Sequence, residues 1–110
     1  MDINELTIGD VKKLNALIGN KTDDGPYQTG TQYFIRTVTH YFTGRCVAVY
    51  PGEIVLEDVA WIADTGRYSV ALKTGDFSEV EPYPDTQVII NRGAVVDASV
   101  FPHTLPSKVK

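Results

Sequence analysis

Between Gln32 and Ile62 the chain is dominated by β-branched and aromatic residues, with breaks only at Thr43-Gly44 and Pro51-Gly52. Branching at Cβ restricts χ1 against a preceding helical turn and suits a pleated surface, so this stretch is read as strands. Residues 33–42 read as a first strand. Thr43-Gly44 reads as a bulge or sharp bend into a second strand over 45–50. Pro51-Gly52 closes a tight hairpin, and 53–62 returns as a third strand. The pattern predicts a curved three-stranded meander.

The flanks extend it. Thr7 lies three residues before Asp10, and Ile8, Val11, Leu14, Leu17 and Ile18 then recur at helical spacing. This predicts a helix over 7–19 ending at Gly19, with its apolar stripe docked over the open end of its own barrel, the alternative being a neighbouring subunit or host protein. Residues 20–31 are turn formers and read as a loop. After the meander, 63–86 reads as an insertion. Asp64-Thr65-Gly66 offers a helix cap, 67–73 fits a helix or a strand, Gly75 ends it, and 79–81 is extended before Pro82 and Pro84. Residues 86–90 form a strongly β-branched strand, Asn91-Arg92-Gly93 turns it, and 94–98 is the last strand. The tail over 101–110, with Pro102 and Pro106, is expected to be irregular. The fold class is mainly β. It is expected to be a small, strongly bent five-stranded antiparallel barrel over 32–100 with an N-terminal helix, in a single domain over 1–110.

Composition narrows the functions available. The chain has 110 residues, 10 basic and 14 acidic, for a net charge of −4. An acidic protein is a poor partner for long DNA or RNA, which needs a basic surface. Cys46 is the only cysteine, which excludes an internal disulfide, fits a reducing compartment and leaves no cysteine-rich zinc site. No apolar run approaches the roughly 20 residues of a membrane span. A chain of this size buries only about 65% of its unfolded surface, so self-association is a natural source of further burial.

Two stretches resemble the paired sequence motifs of Sm-like proteins, the group that includes Sm rings and the RNA chaperone Hfq. Gly44-Arg45-Cys46-Val47-Ala48-Val49, followed by Ile54-Val55-Leu56-Glu57-Asp58, is similar to the first motif. Ile90-Asn91-Arg92-Gly93-Ala94-Val95-Val96 is similar to the Arg-Gly turn of the second. The resemblance implies a small barrel and a homo-oligomer, in the form of a ring. Sm rings cradle a base with an Asp and an Asn in the hairpin that is Tyr50-Pro51-Gly52-Glu53 here; that pair is missing, so uridine-rich RNA binding does not carry over. The whole chain also looks similar to a family of small bacteriophage proteins. Its shared stretches are seen here as Arg36-Thr37-Val38-Thr39, Thr43-Gly44-Arg45, Asp58-Val59-Ala60-Trp61-Ile62-Ala63-Asp64-Thr65-Gly66-Arg67 and Asn91-Arg92-Gly93-Ala94. That likeness implies a phage protein acting in the host cytoplasm, and brings no activity with it.

The candidate ligand-binding residues are Arg36, Thr39, Arg45, Trp61, Asp64, Thr65, Arg67, Tyr68, Asn91 and Arg92. Arginine offers a planar fork of donors suited to phosphate, and Arg45, Arg67 and Arg92 each adjoin a glycine at a strand break. Aromatic faces and hydroxyls nearby, including Thr37, His40 and Tyr41, complete what nucleotide recognition needs. The alternatives are ion pairs with Glu57, Asp58, Asp64 or Asp97, and for Trp61 a place in the core or an interface. No nucleophile elbow, paired His-x-Thr motif or metal-ligand spacing is present, so no catalysis, metal or cofactor is expected. The expected function is sequestration, without cleavage, of a small phosphorylated ligand such as a cyclic nucleotide signal of bacterial antiviral defence. A structural virion or assembly protein and an Sm-like single-stranded RNA binder are the alternatives.

Overall fold

The run that opens at Gln32 folds as three antiparallel strands: β1 (Gln32–Thr37), β2 (Tyr41–Val49) and β3 (Glu53–Asp64). The structure is a computed structural model and describes residues 25–110. The helix expected over 7–19, and the start of the loop expected over 20–31, lie outside the described residues.

The meander forms, but its first turn is displaced from the expected place. The chain reverses at 38–40, not at Thr43-Gly44. The Thr37 hydroxyl accepts from the His40 amide at 2.9 Å and donates to the His40 carbonyl at 2.7 Å, while the Thr37 amide reaches that same carbonyl at 2.8 Å. These local bonds offer the backbone an alternative to the strand that Val38 and Thr39 would otherwise favour. Gly44 lies inside β2 and marks the expected bulge, where the register with β3 shifts between Thr43 and Arg45. A Cβ at Gly44 would sit 3.0 Å from Val59 Cγ2, so its absence lets the two strands close at the bend. Across from it Asp58 adopts φ +52°, the one left-handed non-glycine residue among the described residues.

The rest of the chain adds a helix and three short strands. The segment over 67–73 resolves as a helix, α1 (Tyr68–Thr74), closed by Gly75 at φ +76°. The expected side-chain cap is missing: Arg67 is the capping residue, and Asp64 instead accepts from the Gly66 amide at 2.8 Å. β4 (Glu79–Pro82), β5 (Val88–Asn91), a 3-10 turn (Arg92–Ala94) and β6 (Val95–Val100) follow.

The six strands form one antiparallel sheet in the order β4-β3-β2-β1-β6, with β5 also on β3. Twelve residues make β3 long enough to pair with β5 through Glu53–Leu56 and with β4 through Ala60–Asp64, along the edge that β2 leaves open. The mainly β class holds, and the expected strongly bent five-stranded barrel is corrected to a six-stranded antiparallel sheet that does not close among the described residues. The chain passes from β5 to β6 through a three-residue turn whose backbone bonds go to Gly52 and Val38, and no ladder joins those two strands among the described residues.

Alternation along β1 gives each face its own core. Tyr33 and Ile35 join Cys46, Ile54, Leu56, Val59 and Ile90 on one side. Phe34 joins Ala60, Ile62, Ala71, Phe77, Val80 and Phe101 on the other, under α1 and the tail. The tail is irregular, as expected, yet firmly held. Gln32 Nε2 donates to the carbonyls of Phe101 at 3.0 Å and His103 at 2.6 Å, and Val80 and Lys110 exchange both backbone bonds. Thr43, opposite Phe34 and Ala60 of this second core, is fully buried, and its hydroxyl has no partner among the described residues. Because an unsatisfied buried hydroxyl carries its full desolvation penalty, Thr43→Val, which keeps the shape, is expected to stabilise the protein by about 1 kcal/mol. A higher urea midpoint at unchanged slope is the readout.

Candidate functional site

At one end of the sheet the β1–β2 turn, the end of β3 and the start of β6 border a shallow, open hollow of about 540 Å³. Thr37, Val38, Thr39 and His40 supply one wall, Trp61 and Ala63 a second, and Val96 a third. Trp61 is 38% exposed, which places it neither in the core nor fully in water. Its register partner Phe42 and the His40 ring lie beside it; the His40 and Trp61 centroids are 5.5 Å apart at 59°. His40 Nδ1 is 2.8 Å from the Thr39 hydroxyl. A half-exposed indole, a second ring and two threonines around a space of this size make a surface on which a flat aromatic ligand can lie.

The remaining candidates divide by position. Asp64, Thr65 and Arg67 form the turn that leaves the hollow's end of β3 and enters α1. The Arg67 guanidinium is exposed and takes part in no ion pair or side-chain hydrogen bond among the described residues. Tyr68 lies on the opposite face, where its ring centroid is 5.1 Å from the Arg36 guanidinium carbon and Tyr41 is 6.0 Å from the same atom. Arg36 is bound through Nε to Asp97 at 2.7 Å and through its amino group to the second carboxylate oxygen. That pairing raises the Arg36 pKa and holds the Asp97 carboxyl below its usual range.

Arg45 stands opposite Gln32, four positions along β1 from Arg36, or about 13 Å at strand spacing. Its two amino nitrogens reach Asp58 at 2.6 Å and Glu57 at 3.4 Å. Asn91 and Arg92 lie at the other end of the sheet, beside the β2–β3 hairpin. Asn91 Oδ1 accepts from the Gly93 amide at 2.8 Å, and Arg92 donates to the Tyr50 carbonyl at 2.8 Å with its guanidinium 5.3 Å from the Tyr27 ring. Within one chain the four guanidiniums thus share no hollow. Strand register separates Arg36 from Arg45, no hollow among the described residues is lined by two of the four, and Arg36 and Arg45 already meet carboxylates.

Two groups are explained by burial alone. The Cys46 thiol is fully buried in a core, and desolvation raises its pKa, the reverse of what a reactive thiolate needs. Burial also raises the Tyr27 phenol, against an opposing effect of Arg92. Sequence reasoning missed Val38, Ala63 and Val96 as walls of the hollow. Only the displaced turn brings Val38 there, and only the pairing of β6 with β1 brings Val96. Comparisons with protein-family models, curated proteins and solved structures give no match to this chain.

Proposed function

We propose that the protein is a non-catalytic, self-associating binding module that holds a small phosphorylated aromatic ligand, a nucleotide, in the hollow at Trp61. The observation that carries this reading is the half-exposed Trp61 beside His40 and Thr39 in the hollow; Arg67, unpaired among the described residues, lies outside its lining, in the turn that follows β3. The indole and imidazole take the base, the Thr39 hydroxyl its polar edge, and Arg67 the phosphate.

Self-association rests on the open edges. Among the described residues β5 and β6 each pair on one side only, and Ile89, Val96 and Val100 are 68%, 61% and 62% exposed there. Such edges invite pairing with another copy. Joining β6 of one copy to β5 of the next completes, between subunits, the Sm-like barrel that a single chain leaves open. It also sets the hollow, through Val96, at a subunit junction. In the phage setting that the resemblance implies, the module sequesters a cyclic nucleotide signal of host defence in the host cytoplasm. The same exposed edge residues favour a second reading, a structural assembly protein that binds no nucleotide.

Native mass spectrometry of the purified protein, followed by calorimetry against mono-, di- and cyclic nucleotides, separates the two. The binding reading expects an oligomer that takes up a nucleotide, with affinity about tenfold or more weaker in Trp61→Ala, given about 1–3 kcal/mol per stacked base. An oligomer that binds none of the panel supports the assembly reading and overturns this one.

A further inference from the structure

A second concavity, of about 440 Å³, lies between the segment after β4 and the tail. Val59 forms part of its floor, and Tyr83, Pro84, Leu105 and Pro106 its walls. Gln32, Thr104 and Ser107 line it as well, so apolar and polar surface alternate, and its lining includes two carboxylates. Arg45 reaches the groove, but Asp58 and Glu57 already occupy both its amino nitrogens. Asp58 and Asp85 also line the groove, and Asp85 has no ion-pair or hydrogen-bond partner among the described residues. Asp58 and Asp85 are thus the carboxylates that line the groove, against the one guanidinium of Arg45, and the surplus is negative. Tyr83 is 39% exposed and presents a ring.

We infer that this groove is a binding site for a small organic cation, an ammonium carried on an aromatic or alkyl body. The body packs on the proline, leucine and tyrosine walls, while the ammonium lies toward Asp85 and the Tyr83 ring. An anion is disfavoured by the uncompensated carboxylates. A neutral apolar ligand draws nothing from them. The site is preformed, because Gln32 anchors the tail wall through the Phe101 and His103 carbonyls, so little ordering opposes binding. It shares no lining residue with the hollow at Trp61, so neither site's failure bears on the other.

The test is a two-dimensional amide NMR titration with 2-phenylethylamine, using 3-phenylpropionate as the probe of opposite charge. Saturable shifts at Val59, Tyr83 and Leu105 with the amine alone are expected. Asp85→Asn, which breaks no contact among the described residues, should weaken binding about fivefold. Asp58→Asn keeps a residue tolerant of the left-handed backbone while removing the second charge, and the double variant should lose saturable binding. Equal shifts with the carboxylate probe, no saturable shifts with the amine, or unchanged affinity in the double variant overturns the proposal.

Discussion

Phe101→Ala is expected to destabilise the protein by about 4 kcal/mol, within the range for deleting a fully buried aromatic ring. Phe101 is 2% exposed in the core beneath α1, its ring stacked 5.8 Å from Phe77 and edge-on at 5.0 Å to His103. Its backbone matters as much as its ring. The Phe101 amide donates to the Gln32 carbonyl at 2.8 Å, and the Gln32 side chain binds the Phe101 carbonyl at 3.0 Å. Losing the ring leaves a cavity between two layers and releases the start of the tail, whose far end pairs with β4. Since a small domain is stable by only about 5–15 kcal/mol, a loss of that size is a large fraction of the whole. Urea unfolding monitored by far-UV circular dichroism reads it directly. A loss under 1 kcal/mol would show that the tail is not part of the core.

Gly75→Ala is the second large effect, expected at about 3 kcal/mol. Gly75 ends α1 at φ +76°, where a side chain on an L-residue costs about 1–2 kcal/mol. A Cβ there would also stand 2.6 Å from the Cβ and Cγ of His103, a contact that forces the tail to shift. His103 Nε2 donates to the Leu72 carbonyl at 2.9 Å, so moving that ring removes a bond that ties the tail to α1. Gly30 supplies the control. It has φ +86° with nothing within 4 Å of its Cβ position, so Gly30→Ala should show the backbone cost alone, about 1 kcal/mol. Equal losses in the two variants would mean that the His103 contact is unimportant.

Much of the sheet was legible because its signal is local. The β-branched density of 53–62 and the strand, turn and strand over 86–98 correspond to β3, β5, the 3-10 turn and β6. The displaced turn was not legible, since Val38 and Thr39 favour strands and only the hydrogen bonds of the Thr37 hydroxyl decide otherwise. Closure was also beyond reach. Whether β5 and β6 pair depends on where the 3-10 turn spends its backbone bonds, a property of three-dimensional register. The arginines teach the same lesson. Arg36 finds Asp97 from 61 positions away, whereas Arg67, exposed in the turn after β3, pairs with none of the described acids. Spacing picks out residues with the right chemistry, and strand pairing chooses which of them stay available.

The most direct measurement of the central claim uses the chain's only tryptophan. Trp61 lines the hollow, so its emission reports on that space. Titration with AMP, ADP and a cyclic dinucleotide should change the fluorescence saturably for at least one of them, and Arg67→Ala should shift that curve to about tenfold higher ligand. Emission that stays flat across all three ligands while the protein remains folded contradicts the account.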